Sequence, residues 1–490
     1  MKLALDPSNS TPLNKQLESA LRQRIESGLL EPGSKLTASR PMSVELGVSR
    51  ITVESAYSSL EADGLIERRA GSGSYVARRR GDRKSLVSAE ELPGWQGVLL
   101  AGSDRSGIEI GIGLGGGGDG ETIDFATGVG DASLFPLADF KAALASALSR
   151  EGSSALGYAD PRGVQAFRTL IARVLSSRGV DASPEEILVT SGSQEALGLV
   201  ALALRGRGHD VIVESPCYAS ALGLFRSLGY VPTGIPMDSG GMRLEPLRAA
   251  LRSGRAAFVY TMPNFQNPSG VRMDSERRRA VVALTKEFDT PVLEDDFVGD
   301  LRYEGRDLPS LYTLGGAGVM HSATFSKLLA PGLRVGFIAA RGPAYERLLE
   351  LKYCMSMSAP RLSQEALARI LSVGRYEAHI RRSRRRYTER RDAMLEALAD
   401  RLPGLEVKKP SGGLFLWLRL PVGLDSSVVA TASKARGVLV FDGKPCFADP
   451  GAPDAGSFLR LNFAAESPER IRAGVRALSE AVDSLGDGGR

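Results

Sequence analysis

Leu13, Leu17, Leu21 and Ile25 recur four residues apart, a single apolar stripe that predicts a helix. Glu31-Pro-Gly-Ser34 is a turn that stops it. Ser39 to Leu46 predicts a second, short helix, with Ser39 as its capping residue, Pro41 in its first turn and Gly47 as its stop. Val48-Ser49 caps a third helix, from Arg50 to about Asp63, whose buried side carries Val53, Ala56, Tyr57 and Leu60. Two short strands follow near residues 65–69 and 74–77, joined by Ala70-Gly-Ser-Gly73. Three helices and a two-stranded wing predict a winged helix-turn-helix of the α+β class over residues 1–77.

Periodicity then lapses. Residues 78–122 carry a charge run, Arg78-Arg-Arg-Gly-Asp-Arg-Lys84, and a glycine run at 115–118, and are expected to be a flexible linker. A flexible coil of that length spans about 35–40 Å between its ends. No Gly-Lys-Ser follows the glycines, so they are not a phosphate loop. From Ile123 to Arg490, apolar strands alternate with amphipathic helices. The strand candidates are 187–190, 211–214, 257–261, 291–294, 319–324 and 334–339. This alternation predicts an α/β domain with a mostly parallel sheet covered on both faces.

Composition adds limits. The 490 residues exceed one ordinary domain, and 43% apolar content supports a large core. A net charge of +5 permits a nucleic-acid partner without requiring one. Three cysteines, far apart and without a Cys-x-x-Cys pair, read as reduced cytosolic thiols. The three histidines are too scattered for a zinc site, so no metal is expected. No apolar run reaches the ~18 residues that a membrane helix needs. A soluble, cytoplasmic protein with no membrane partner is expected.

The chemistry concentrates at the ends of the strands, where ligands gather in such sheets. In Thr324-Phe-Ser-Lys327, continued to Arg334, a lysine stands between hydroxyl residues and seven positions before an arginine. That spacing suits Thr324, Ser326 and Arg334 around a phosphate, with Lys327 holding an aldehyde; pyridoxal 5'-phosphate carries both groups on one ring. Thr190-Ser-Gly-Ser-Gln194 leaves a strand and opens a helix, where the amides of Gly192, Ser193 and Gln194 can bind a phosphate. Tyr218 can lie flat on a pyridine ring. Asn267, in Pro263-Asn-Phe-Gln-Asn-Pro-Ser-Gly270, can donate to the cofactor phenolate. Asp295, in Glu294-Asp-Asp296, suits the pyridinium proton that keeps the ring an electron sink. Paired carboxylates alone also suit magnesium or general acid work; the lysine downstream argues against both.

In the N-terminal segment, the third helix suits the major groove, with Ser49, Arg50, Ile51, Thr52 and Glu54 facing the bases of double-stranded DNA. Arg40 and Gly71 of the wing fall near phosphates. The helix around Arg381-Arg-Ser-Arg-Arg-Arg-Tyr-Thr-Glu-Arg-Arg391 reads as a solvated basic face, and DNA guidance is its alternative.

Residues 11–77 resemble the winged-helix domain of the GntR family of bacterial transcription regulators. The match runs through Leu30-x-Pro-Gly, Ser39-Arg40, Leu46-Gly-Val-Ser-Arg-x-Thr-Val53, Tyr57, Leu60, Gly64 and Gly71-Ser-Gly-Ser-Tyr-Val76. The segments after residue 123 resemble the fold-type I, aspartate-aminotransferase-like family. The step from Lys327 to Arg334 around Pro331-Gly332 is similar to the MocR subfamily, which joins the two domains. This resemblance implies a pyridoxal-phosphate-dependent transcription regulator whose Lys327 carries the internal aldimine. It implies that Tyr158 reaches the phosphate of a partner subunit and that Arg460 receives the carboxylate of an amine or amino acid effector. It also implies a head-to-tail homodimer with exchanged winged helices. Where relatives usually read Glu-Asp-Asp-Tyr, this chain has Phe297, which offers the cofactor no hydroxyl. An active aminotransferase with an appended DNA-binding domain is the alternative reading.

Overall fold

The computed structural model describes residues 12–26, 30, 33–62, 65–69, 73–77, 122–325, 327 and 329–486. Gly71, Ser326 and the expected linker up to residue 121 lie outside the described residues. The chain divides into two compact units, Met1–Ser103 and Asp104–Arg490, each with its own hydrophobic core.

The first unit contains α1 (Leu13–Glu26), α2 (Ser39–Leu46), α3 (Arg50–Ala62), β1 (Ile66–Arg69) and β2 (Gly73–Val76). Leu17 and Leu21 of α1 meet Met42 of α2 and Val53, Ala56, Tyr57 and Leu60 of α3 in one core. The two strands pair antiparallel, Ile66 opposite Val76. Gly47 turns the chain between α2 and α3 at φ 66°, ψ 29°, a conformation that costs glycine least. The Tyr57 hydroxyl donates to the Thr37 carbonyl at 2.6 Å and pins the turn before α2. One expectation is corrected. Ser39 is not the cap of α2: the cap position is Ala38, which has no side-chain oxygen, and Ser39 is the first helical residue. The capping of α3 does occur, the Ser49 hydroxyl accepting from the Thr52 amide at 3.1 Å.

The second unit begins with the short β3 (Ile123–Asp124). Its main sheet is built from β4 (Ile187–Thr190), β5 (Asp210–Ser215), β6 (Val231–Asp238), β7 (Gly241–Met242), β8 (Ala256–Thr261), β9 (Val292–Asp295), β10 (Val319–Thr324) and β11 (Gly336–Ala339). The spatial order is β4-β11-β10-β9-β8-β5-β6-β7. β4, β5, β6, β8, β9 and β10 all point the same way, so Thr190, Ser215, Thr261, Asp295 and Thr324 end on one edge. The expected strand at 334–339 is shorter and runs against its neighbours: β11 is antiparallel to both β10 and β4. The chain has only residues 325–335 in which to turn, too few for a parallel crossover. Arg334 therefore lies in the turn, at φ 50°, ψ 53°, and not in the strand.

A smaller antiparallel sheet places β15 (Phe458–Asn462) between β12 (Phe415–Arg419) and β14 (Phe441–Asp442). β13 (Val438–Leu439) pairs in parallel with β3 and draws residues 122–126 against this sheet. Among the described residues, no helix is long and apolar enough to cross a membrane, and no cluster of residues suits a metal ion. The basic helix Arg375–Arg401 is amphipathic in a mixed sense. Arg381, Arg382, Arg385 and Arg386 are exposed, as expected for a solvated face. The expectation is corrected at Arg384, Arg390 and Arg391, which turn inward and donate to the carbonyls of Asp300, Ala464 and Pro410.

Candidate cofactor site

The carboxyl edge of the main sheet brings together residues separated by more than 130 positions. Thr324 ends β10, Gly336 opens β11 opposite it, and Thr190 ends β4 on the other side of Gly336. Across this seam the Arg334 Nη2 donates to the Ser191 carbonyl at 3.2 Å. Gly192 caps the helix Ser193–Ala203 at φ 96°, and a Cβ there would lie 2.9 Å from Arg334 Nη2. Only glycine lets the guanidinium cross the helix N-terminus so closely. The helix start at Gly192–Gln194 and one guanidinium thus lie side by side, an arrangement that suits an anion. Thr324 stands beside them, buried, its hydroxyl donating to the Val335 carbonyl at 3.1 Å.

Lys327 lies in the turn after β10, partly buried. Burial, followed by the charges of Arg460 and Arg334, pulls its pKa down to about 8 against the opposing pull of Asp295. A lysine so placed is a neutral nucleophile far more often than a surface lysine. Gly128 borders its amine: a Cβ at Gly128 would lie 3.5 Å from Lys327 Nζ. That segment is held by Asn462, whose Nδ2 donates to the carbonyls of Thr127 and Val129.

Asp295 ends β9 and is buried. Its Oδ2 accepts from the Tyr260 hydroxyl at 2.8 Å, while Oδ1 has no partner. Burial pushes its pKa up to about 7, so this carboxyl lacks a positive neighbour strong enough to keep it ionised. Its sequence neighbour Asp296 has the opposite fate. Burial opposes its ionisation too, but Arg178 overcomes that cost and holds it below the usual range, with Asn264 Nδ2 donating at 2.8 Å. Beneath them Glu294 accepts from the amides of Leu311 and Tyr312 and meets His321 Nδ1 at 3.0 Å.

Arg460, at the middle of β15, is buried with its guanidinium between the rings of Phe415 and Phe441, 4.3 and 4.2 Å from their centroids. Nη1 donates to Asn267 Oδ1 at 3.1 Å and Nη2 to the Ala126 carbonyl at 2.6 Å, while Nε has no partner. The contact to Arg460 makes Oδ1 the accepting end of the Asn267 amide and leaves Nδ2 as its donor end. Tyr218 precedes the helix Ala219–Ser227, partly buried, and feels the charges of Asp295, Arg460 and Arg334. Phe297 is buried and stacks on Phe415, ring centroids 6.4 Å apart and planes within 17°. Its ring therefore supports the aromatic wall of Arg460 and supplies no polar group.

Tyr158 is the outlier. It is 77% exposed in this chain, as is its neighbour Leu156 at 72%. In the first unit, Arg40, Ser49, Arg50 and Ile51 are exposed, Thr52 and Glu54 half-buried. Ile51, 80% exposed at the start of α3, is an apolar group offered outward. Glu54 is less free than the sequence suggests, because Arg50 at 3.8 Å and Arg68 at 3.3 Å both reach it.

Residues 122–478 match the family described as aminotransferase class I and II, and residues 13–76 match the bacterial regulatory proteins of the gntR family. The chain belongs to the GntR-type regulators that carry an aminotransferase-like domain. This is the MocR-like architecture, and the protein is a pyridoxal-phosphate-dependent DNA-binding transcription regulator of that kind. The regulator is 32% identical to the HTH-type transcriptional regulator YdcR of Escherichia coli over 95% of this chain and 98% of the other. It is 28% identical to the HTH-type regulator YdfD of Bacillus subtilis, over 97% of each chain. The chain is similar to the solved alpha-aminoadipate aminotransferase LysN of Thermus thermophilus, in complex with N-(5'-phosphopyridoxyl)-L-leucine. That likeness has a TM-score of 0.71 and 32% identity, over 81% of this chain and 98% of the other.

The residues of the regulator fit pyridoxal phosphate on their own terms. The unpartnered Oδ1 of Asp295 suits a pyridinium N–H. The glycine cradle under Arg334 suits a phosphate, and the depressed pKa of Lys327 suits an amine that condenses with an aldehyde. Sequence reasoning missed Gly128, Tyr260, Phe415 and Phe441. The strand-end position of Tyr260, just before the Pro263–Gly270 motif, was a usable signal for it; the others had none.

Proposed function

We propose that this regulator binds an operator through Ser49 and the α3 residues Arg50, Ile51, Thr52 and Glu54, and answers to an amine, an amino acid or pyridoxal phosphate itself at Lys327. The observation that carries this reading is Arg460. It is a buried guanidinium with a free Nε, walled by two rings, in the same site as Lys327 and Asp295. Bound pyridoxal phosphate supplies an aldehyde for amines and an electron-withdrawing ring. Lys327 Nζ would hold the aldehyde end, Asp295 the ring nitrogen, and Asn267 Nδ2 would donate to the phenolic oxygen. Tyr218 would cover the ring face. Gly192, Ser193, Gln194, Thr324, Ser326 and Arg334 would hold the phosphate.

Lys327 would be the group that an effector amine displaces, and Arg460 would take the effector's carboxylate in a charge-assisted contact. Release of the lysine then favours one arrangement of the two units over another, which requires different effector affinities in the two states. The exposed Tyr158 and Leu156, with Tyr353, Met355 and Met357, support a homodimer in which Tyr158 completes the partner's phosphate site. A cytoplasmic location follows from a DNA target.

The test is a screen of amines and amino acids for changes in cofactor absorbance, repeated for operator affinity. A compound that moves both, in wild type and not in Lys327→Ala, supports the reading. Operator binding that ignores every compound moving the absorbance sinks it. The second reading, an active aminotransferase, draws on the complete set of Lys327, Asp295, Asn267 and Arg460 and on the likeness to LysN. Sustained turnover of an amino donor and a keto acid by purified protein would favour it. Phe297 stands against rapid turnover.

A further inference from the structure

Glu195 stands in the first turn of the helix Ser193–Ala203, beside the amides that face the anion. A carboxylate there repels a phosphate unless something neutralises it. Its contacts show what does. Lys352 Nζ lies 3.2 Å from Oε1 and 3.1 Å from Oε2, and the Ser356 hydroxyl donates to Oε1 at 2.6 Å and meets Lys352 Nζ at 2.9 Å. Lys352 is 0% exposed, on the helix Pro343–Ser356, where a lone ammonium is costly without its partner. Burial pulls its pKa down and Glu195 pulls it back.

The paired carboxylate has a further contact. Glu195 Oε2 accepts from the Ser191 amide at 2.5 Å. The Ser191 carbonyl accepts from Arg334 on the other side. The residue before the anion-binding turn is therefore gripped at its N–H by Glu195 and at its C=O by Arg334. With the Ser191 amide engaged, the amides that follow it are the ones left to face an anion.

We propose that Glu195 and Lys352 form a positioning pair that sets the preference of this site for a phosphorylated cofactor. Neither residue touches the cofactor. Glu195 orients the turn, and Lys352 cancels the charge that would otherwise repel the phosphate. The inference rests on the placement of the phosphate at Gly192–Gln194 and Arg334 given above.

The test compares the affinities of the full-length protein for pyridoxal phosphate and for pyridoxal, which has the same ring and aldehyde and no phosphate. Lys352→Met keeps the side-chain volume and removes the charge. It is expected to weaken pyridoxal phosphate binding about 30-fold and to leave pyridoxal within about 2-fold, because a carboxylate without its cation is left in the first turn of the helix whose N-terminus takes the phosphate. Adding Glu195→Gln, which retains an acceptor for Ser191, is expected to regain most of the loss. Ser356→Ala, a milder change that keeps the fold, moves the preference about 3-fold in the same direction. Equal losses for the two ligands, or no loss for either, overturn the positioning role. So does a double variant no better than Lys352→Met, or a Ser356→Ala protein with unchanged preference. Wild-type protein with equal affinity for pyridoxal phosphate and pyridoxal overturns the phosphate placement itself, and is distinguished by needing no variant.

Discussion

The two units build their working surfaces in opposite ways. In the winged helix, Ser49 to Glu54 are neighbours in sequence on one helix start, and Arg50 and Ile51 are exposed above a core that does not need them. In the second unit, Lys327, Asp295, Asn267 and Arg460 come from four different segments, and Asp295, Asn267 and Arg460 are buried in the fold they serve. A contiguous exposed surface can change its target with little effect on stability. A buried assembly of charges cannot, because each group left without its partner carries a desolvation cost.

That contrast is open to breaking. The largest expected effect is at Lys327. Lys327→Ala should abolish the cofactor absorbance and every effector response, yet leave effector-free operator affinity within about 3-fold, since it changes no residue of the winged helix and shares no partner with one. A large loss of operator binding in gel-shift or anisotropy titrations would show that the two units do not work separately. Arg50→Ala should come next, weakening operator binding by about 1–3 kcal/mol and relaxing the base preference at one position, with an unchanged cofactor spectrum. Isothermal titration against single-base operator variants reads both.

The next effect concerns pH. Lys327 has its pKa lowered to about 8, so its amine is increasingly neutral as pH rises through 8. The rate of cofactor capture by apoprotein should rise with pH and level off above about 9. A rate flat between pH 7 and 9 would remove Lys327 as the titrating nucleophile. Phe297→Tyr should give a smaller change, a shift in the pH response of the cofactor absorbance through a new hydroxyl near the ring. An unchanged titration would place that hydroxyl elsewhere. The smallest expected effect is Ser49→Ala, about 1 kcal/mol of winged-helix stability from the lost cap at the Thr52 amide. Chemical denaturation followed by a probe in the first unit measures it.

Much of this was legible along the chain. The four-residue spacing of Leu13 to Ile25 and the Gly47-Val-Ser turn mark local structure, and local structure follows from local sequence. The strand ends at Thr190, Thr261 and Thr324 were legible for the same reason. Ser39 misled because serine caps helices by composition, whereas the residue that takes the cap geometry here is the alanine before it. The direction of β11 was hidden because an apolar run of six residues does not say which way it runs. Only the shortness of the turn after Thr324 decides that.

The sequence by itself determined which residues carry chemistry: a lysine seven positions before an arginine, a paired carboxylate, an amide in a proline-rich turn, and a winged helix ahead of them. Their types and spacings are properties of one segment at a time. The tertiary structure alone decided how they differ from like neighbours. Asp295 and Asp296 are identical in type and adjacent in sequence, yet Arg178 from another segment holds the pKa of one below the usual range, and burial without a paired cation pushes the other up to about 7. Arg460 gains its aromatic walls, and Glu195 its buried lysine, from strands and helices distant in the chain. Electrostatic environment is set by what packs nearby in space, and that information exists only after the chain has folded.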